Sequence, residues 1–304
     1  MTLRDLSYIE AIARERSITR AAAKLFVAQP ALSQCVQKVE KELGVPVFVR
    51  GSGGVSLTAE GEVFLAFARG TLKGQREMEQ RLSDMKDEDG GQVRLGFTGT
   101  QAAYVLPYFL PQFKEKYPNV EIILVEASSD EIEEKLCRGE VEIGILHPPI
   151  TCKELDSFEL SHDEMVIVPR SFSRFHPYIR YRDGEALPYL DMDFLKDEPL
   201  IVTSPWQRSR IICEQIFSRA GITPIIKQTS KNLSTLDALA QVNYGTVILP
   251  SKQVSEALKR RGVYRIDPAF SIPYTFDAAT VKNAYLPAAA GKLLELLKEL
   301  RGTF

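Results

Sequence analysis

Long hydrophobic runs are missing from this 304-residue sequence. Lys, Arg, Asp or Glu interrupts each apolar stretch well before the roughly 20 residues that span a bilayer. The start, Met1-Thr-Leu-Arg-Asp-Leu6, carries an early acid and no apolar signal core. No membrane segment is therefore expected, and the cytoplasm is the expected location. Cysteine is scarce: Cys35, Cys137, Cys152 and Cys213 form no CxxC or similar cluster. Such spacing argues against a metal framework and, in a reducing compartment, predicts thiols that serve as small buried hydrophobes. The three histidines, His147, His162 and His176, are scattered, and the signatures HExxH, GxSxG, GxxxxGKS/T and GxGxxG are all absent. Nothing here supports an enzyme, a catalytic metal or a cofactor.

What is present fits an ordinary globular chain, with 44% hydrophobic and 26% charged residues. The length suggests about two domains. A net charge of −2 hides an asymmetry. Residues 1–58 hold eight bases (Arg4, Arg14, Arg16, Arg20, Lys24, Lys38, Lys41, Arg50) against five acids, so the remainder is acidic. Alone, that excess is weak evidence for nucleic acid.

Periodicity strengthens it. Leu6, Ile9, Ile12 and Ala13 form one stripe of a first helix; Ser17 can cap a second whose inner face is Ile18, Ala21, Ala22 and Leu25. Pro30 suits the first turn of a third helix, because its missing N–H would be unpaired there anyway. On that helix Leu32, Cys35, Val36, Val39 and Leu43 share the core side, while Gln29, Ser33, Gln34, Gln37, Lys38 and Lys41 share the other. Gly44 stops it. A Gln amide offers a donor and an acceptor to an adenine edge, and Ser or Lys can reach phosphate or base. A strand-like Val45–Val49, the loop Gly51-Ser-Gly-Gly54 and Val55-Ser-Leu57 complete a hairpin wing, with Arg50 at its base.

The segments Ser17-Ile-Thr-Arg-Ala-Ala-Ala-Lys-Leu25, Gln29-Pro-Ala-Leu-Ser33, Glu42-Leu-Gly-Val-Pro-Val-Phe-Val-Arg50 and Leu57-Thr-Ala-Glu-Gly61 together resemble the winged helix-turn-helix of LysR-type transcriptional regulators. By that resemblance Gln29, Pro30, Ser33, Gln34, Gln37 and Lys38 fall on recognition-helix positions that meet double-stranded DNA, Arg50 lies in the wing, and Arg20 lies near the backbone. Two departures stand out. Ala28 sits where the family usually has Ser, and the wing tip Ser52-Gly53-Gly54 lacks a basic residue.

Thr58 can cap a long helix reaching about Lys86, on which Phe64, Ala68, Thr71, Gln75, Met78, Leu82 and Met85 recur as a coiled-coil-like seam. A seam of this kind implies a partner helix or packing on the same chain, and the resemblance favours a homodimer or homotetramer. From residue 92, strands and helices alternate, first over 93–146 and again over 199–249, which argues for an α/β architecture with mostly parallel sheets in two lobes. Val141-Glu-Ile-Gly-Ile-Leu146 and Val242-Asn-Tyr-Gly-Thr-Val-Ile-Leu-Pro250 resemble the two-lobed, periplasmic-binding-protein-like (type II) effector domain of the same family. The implied organisation is a DNA-binding domain over 1–58, a linker helix and hinge over 59–91, and an effector domain over 92–304. Its first lobe would take about 92–162 and 266–304, its second about 163–265.

Ligands of such sheets lie beyond the strands' carboxyl ends, which here carry Thr98, Gly99, Thr100, Gln101, His147, Thr203 and Ser204. Hydroxyls ahead of a helix start suit an anion, so a small effector such as a carboxylate is expected; they also serve as plain caps, and both readings stay open. The aromatic stretch from Pro169 to Pro199, with Phe172, Phe175, Tyr178, Tyr181, Tyr189 and Phe194, reads equally as a flap, a protein contact or a surface insertion. The reading reached is a sequence-specific transcriptional regulator modulated by a small molecule. Oxidation of Cys213 is an alternative trigger, less favoured because Cys213 shares a helix side with Ile212 and Ile216 and no close second cysteine is available to it. An exported solute-binding protein of the same fold would not carry residues 1–58.

Overall fold

The computed structural model describes residues 1–51, 54–86, 90–171, 174–182, 184 and 187–303, leaving aside the side chains of residues 50 and 100–104. It divides into two compact units, residues 1–88 with 138–140 and residues 89–137 with 141–304.

The first unit begins with α1 (Leu3–Glu15), opened by a reciprocal cap in which Thr2 accepts from the Asp5 N–H and Asp5 from the Thr2 N–H. Ser17 caps α2 (Ile18–Leu25), and α3 (Gln29–Leu43) follows with Pro30 in its first turn. Leu6, Ile9, Ile12, Ala21, Ala22, Leu32, Cys35, Val36 and Val39 bury together, as the stripes predict. Ile18 and Leu25 pack against them half-buried, Ala13 is also half-buried, and Leu43 stays at the surface, at the helix's last turn. Gly44 ends α3 at φ +72, the left-handed conformation that glycine adopts without steric cost.

The hairpin β1 (Phe48–Gly51) and β2 (Gly54–Leu57) starts three residues later than Val45, because the Glu40 carboxylate accepts the Val47 and Phe48 N–H groups and holds the entry to the wing against α3. Thr58 caps α4 (Ala59–Asp84). The expected seam splits. Phe64 and Ala68, with Leu65 and Leu72, are buried, Phe64, Ala68 and Leu72 within this unit's own core, whereas Met78, Leu82 and Met85 are exposed together with Val63 and Phe67. Two apolar stripes overlap on this helix, and packing against α1 takes the one that begins at Phe64.

The second unit carries an 11-stranded sheet. β3 (Gln92–Phe97), α5 (Gly99–Lys116), β4 (Glu121–Glu126), α6 (Ser129–Cys137) and β5 (Ile143–Leu146) form a parallel block in which β3 lies between β4 and β5. The long β6 (Leu155–Val168) follows, then short β7 (Ile179–Arg180) and β8 (Tyr189–Leu190). The second block is β9 (Pro199–Thr203), α7 (Arg208–Ala220), β10 (Ile225–Ser230), α8 (Leu233–Gln241) and β11 (Thr246–Pro250), with α9 (Glu256–Arg261) and β12 (Tyr264–Ile266) after it. β13 (Pro273–Val281) and α10 (Ala288–Glu299) return to the first block.

Instead of two separate, mostly parallel sheets, the blocks join through antiparallel strands. β6 pairs with β13 over Leu155–Glu164 and with β11 over Met165–Val168, so a single strand serves both lobes. Of the aromatic stretch, Phe175 and Phe194 sit in the second lobe's core with Tyr178 packed against them, which makes this part core rather than flap; Tyr181 is exposed and Phe172 lies outside the described residues.

Gly61 is the tightest position in the first unit: a Cβ there would collide with the Val47 carbonyl oxygen, which also accepts the Thr58 N–H. Backbone cannot swing aside as a side chain can. Gly61→Ala should therefore destabilise this unit by about 1–3 kcal/mol, read as a lowered urea midpoint by circular dichroism; an unchanged midpoint would show that the helix start relaxes freely.

Candidate functional site

Two surfaces qualify, one in each unit. On the first, α3 turns Gln29, Pro30, Gln34, Gln37, Lys38 and Lys41 outward, with Ser33 half-buried among them. Its start is open, because Ala28 offers no side chain to the first N–H groups. Gln29 Nε2 donates to Ser33 Oγ at 2.8 Å, holding both side chains along the helix. Arg20 donates to the Glu15 carbonyl at the edge of this face. Arg50 lies in β1, its side chain outside the described residues.

Lys38 departs from its expected role. Its ammonium lies 2.7 Å from Asp5 Oδ2, so it fastens α3 to the start of α1 instead of standing free for phosphate. Burial works to raise the Asp5 carboxyl, yet Lys38 and the Thr2 N–H and hydroxyl bring it down to about 2.

On the second unit a cavity of about 980 Å3 is lined by Thr98, Gly99, His147, Arg208, Tyr274 and the first turns of α6 to α9. That volume is at the upper end for small-molecule pockets. Of the expected ligand positions, Thr98, Gly99 and His147 line it. Thr100 and Gln101 have side chains outside the described residues. Thr203 and Ser204 stand back from the cavity. The Thr203 hydroxyl is buried against Ser209 Oγ at 2.7 Å, and the Ser204 N–H donates to the Ser230 carbonyl, so both hold the strand end in place.

His147 is buried, with Nδ1 2.8 Å from the Thr275 carbonyl and Nε2 3.2 Å from the Tyr274 hydroxyl. A carbonyl only accepts, so Nδ1 carries the hydrogen and Nε2 receives the Tyr274 hydroxyl. Burial pushes the imidazole down to about 4. Glu133 is also occupied: its carboxylate accepts from the Thr151 N–H and hydroxyl and from the Cys152 N–H.

Arg208 is the residue that sequence reasoning missed. It is the first residue of α7, half-buried on the cavity wall, and among the described residues no hydrogen-bond or ion-pair partner meets its guanidinium. Burial lowers its affinity for a proton. A cation at a helix start also opposes the helix dipole. That misplaced charge, inside Gln207-Arg-Ser-Arg210, was the available signal. Neither α7 nor α8 has a side-chain cap, so their first N–H groups remain open beside Arg208. Other cations of the cavity are engaged or exposed: Lys259 pairs with Glu256, Lys252 donates to the His162 carbonyl, and Lys231 is exposed. Cys213 is buried and its thiol is pushed up to about 12 by that burial.

The state of His147 can be read directly. In the unfolded chain it titrates near 6.5 and in the folded one near 4, so stability is full above 6.5, falls as pH drops from 6.5 toward 4, and falls no further from this group below that. Proton NMR of the imidazole should show His147 neutral at pH 5.5, and a titration near 6.5 would mean that the ring is open to water.

Two family profiles together match nearly the whole chain. Residues 3–62 match the profile of the bacterial regulatory helix-turn-helix protein, lysR family, and residues 86–301 that of the LysR substrate binding domain. The chain is 33% identical over 256 residues to the transcriptional regulator AlsR of Bacillus subtilis (strain 168), covering 83% of this chain and 81% of AlsR. It is 31% identical over 250 residues to the Hca operon transcriptional activator HcaR of Escherichia coli (strain K12), 82% of each chain. The crystal structure of HinK, a LysR family regulator from Pseudomonas aeruginosa, superimposes with a TM-score of 0.58 at 26% identity, over 100% of this chain and 99% of that one. The two profile matches, with the 33% identity to AlsR over most of both chains, identify the chain as a member of the LysR family of DNA-binding transcriptional regulators, which are not enzymes.

Proposed function

We propose that this regulator responds to a small organic anion, of the carboxylate class, bound in the second unit's cavity with Arg208 as its anchor. One observation carries this reading: a half-buried guanidinium with no partner among the described residues, at the uncapped start of α7 and beside the uncapped start of α8. Charge-assisted hydrogen bonds to a carboxylate would satisfy the guanidinium and the open N–H groups together. Thr98 and Gly99, on the cavity wall, keep their place as candidate contacts, and the Ser128 and Thr151 hydroxyls, whose hydrogens go to Glu131 and Glu133, offer acceptor oxygens there. His147, neutral and bonded to Tyr274, would meet the effector through shape and polarity rather than charge.

The DNA half of the reading uses the amides. Gln34 and Gln37 stand exposed for base edges, Gln29 and Ser33 act as a bonded pair, Arg20 is the candidate for the backbone, and Arg50 is the candidate on the wing strand. Lys38 contributes through its hold on Asp5.

A symmetric dimer fits the apolar face that α4 leaves open. Val63 and Phe67 at one end and Met78, Leu82 and Met85 at the other are exposed, and between them Gly70 and Gly74 border open space. Each glycine costs about 1 kcal/mol in a helix interior. The cost is explained if a second backbone crosses there closely, as glycine permits. A dimer would present two recognition helices to half-sites related by the same two-fold axis.

Trp206, the chain's single tryptophan, lines the cavity and reports on it. Titrating a panel of small carboxylates and their neutral amides, followed by tryptophan emission, should find binding confined to carboxylates. Arg208→Gln should weaken that binding about tenfold to a hundredfold. Equal binding of the amides, or an unchanged affinity in the variant, would sink the anion reading. Independently, Phe67→Glu should shift the protein from dimer to monomer in light scattering, without loss of helical signal. A dimer that persists would place the interface elsewhere.

A further inference from the structure

The scattered cysteines turn out not to be scattered in space. Cys137 ends α6, Cys152 lies in the segment after β5, and their sulfurs are 2.7 Å apart although 15 residues separate them in sequence. Both are half-buried at the edge of the core of Ile132, Leu136, Leu146 and Leu155, whereas Cys35 and Cys213 are buried. We propose that Cys137 and Cys152 are a redox-active dithiol, which a hydroperoxide closes into a reversible disulfide that fastens one wall of the effector cavity.

Geometry ties the pair to that wall. Glu133 and Cys137 are one helical turn apart and share a face of α6. The same face meets the same short segment twice: Glu133 accepts from the Thr151 and Cys152 N–H groups, and Cys137 meets the Cys152 sulfur. Glu133, Pro149 and Thr151 line the cavity. A covalent bond beside the Glu133 clamp would hold this wall segment to α6 by a second fastening that does not depend on pH.

The chemistry balances. One of the two thiols, as thiolate, attacks the terminal oxygen of the hydroperoxide; an S–O bond forms, the O–O bond breaks and an alcohol leaves, or water where the oxidant is hydrogen peroxide. The second thiolate then attacks the sulfenic sulfur, the S–S bond forms, and hydroxide leaves to take up a proton as water. Two thiols have lost two electrons and the hydroperoxide has gained them. Thiolate and access decide which cysteines react. The Cys35 thiol is pushed up to about 11, by burial first and by Asp5 next, and Cys213 to about 12 by burial, so the half-buried pair is the reactive one.

A metal ion is the competing occupant, since Glu154 places a carboxylate oxygen within 4.8 Å of both sulfurs. The sulfur separation argues against it. Two thiolates on a tetrahedral zinc, each about 2.3 Å from the ion, stand roughly 3.7 Å apart. The observed 2.7 Å is closer, and Glu154 is exposed.

The proposal holds whether or not the effector is an anion, and the experiment needs no effector. Full-length protein, reduced and freed of small thiols, is treated with hydrogen peroxide and its intact mass measured. A loss of about 2 Da, reversed by dithiothreitol, is expected, with a non-reduced digest joining the Cys137 peptide to the Cys152 peptide. Cys137→Ser and Cys152→Ser should each abolish the link, while a Cys35→Ser, Cys213→Ser double variant should keep it. Hydrogen exchange at the Thr151 and Cys152 amides should slow at least about tenfold in the oxidised protein. Oxygen added to either cysteine without a cross-link would overturn the proposal. So would a zinc ion bound by the reduced protein that blocks the reaction, and unchanged exchange would remove the fastening of the wall.

Discussion

The N–H groups of a helix's first turn find no acceptor within their own helix, and where they turn instead organises both units of this chain. In α1, α2, α4 and α9 the hydroxyls of Thr2, Ser17, Thr58 and Ser255 accept one of them. At α6, Ser128 does the same, with Glu131 reaching back to the Ser128 N–H. α3, α7 and α8 begin on Ala28, Gln207 and Asn232 with no side-chain bond. Leaving a cap out costs about 1 kcal/mol. Among the helix starts described as uncapped, that of α10, behind Pro287, has no part in either surface. The other three open onto the two surfaces proposed to bind, α3 at the proposed DNA-reading face and α7 and α8 at the cavity, where the proposed anion would take the place of the missing cap.

Local rules carried the first unit. Its helices are short, each has one apolar stripe, and Pro30 and Gly44 mark the bounds of the third; the stripes, the stop and the wing were therefore readable before any contact was known. Misreadings began where two local patterns competed. On α4 the stripe beginning at Phe64 and the one beginning at Val63 are both apolar, and only the approach of α1 decides which is buried. Lys38 looked like one more base on a polar face. Its ammonium is taken by Asp5, 33 residues earlier, a contact that no spacing rule could supply.

In the second unit alternation told of two α/β blocks but not of the join. The first ten residues of β6 read Leu-Asp-Ser-Phe-Glu-Leu-Ser-His-Asp-Glu, with Asp156 and Glu159 exposed, Glu164 half-buried and Asp163 buried, which looks like loop until β13 is laid beside it. Strand-end hydroxyls were sought as ligands on the assumption that a donor near an anion site points at it. Thr203 and Ser204 instead bond to Ser209 and Ser230, because a buried hydroxyl close to a strand end finds protein partners first. The better signal was a charge in the wrong place, Arg208 at a helix start. Proximity of Cys137 and Cys152 arises only when α6 and the segment after β5 are folded together, and sequence spacing carries no trace of it.

The two lobes divide the ligand's work unequally. Arg208 and the open starts of α7 and α8 belong to the block of β9–β11, whereas Thr98, Ser128, His147 and Thr151 belong to the block of β3–β5. A ligand moves an equilibrium only by its difference in affinity between two states. An anion that met Arg208 alone would bind without changing how the blocks stand, since every contact would be to one of them. A molecule long enough to place its carboxylate on Arg208 and a second polar group on Thr98 or Thr151 makes contacts that depend on the separation of the blocks. The joints available for such a change are the strands the blocks share: β6, which hands over from β13 to β11 between Glu164 and Met165, and β13 beside it. For the proposed anion, specificity and response would therefore rest on the same feature, the distance between its charge and its second polar group.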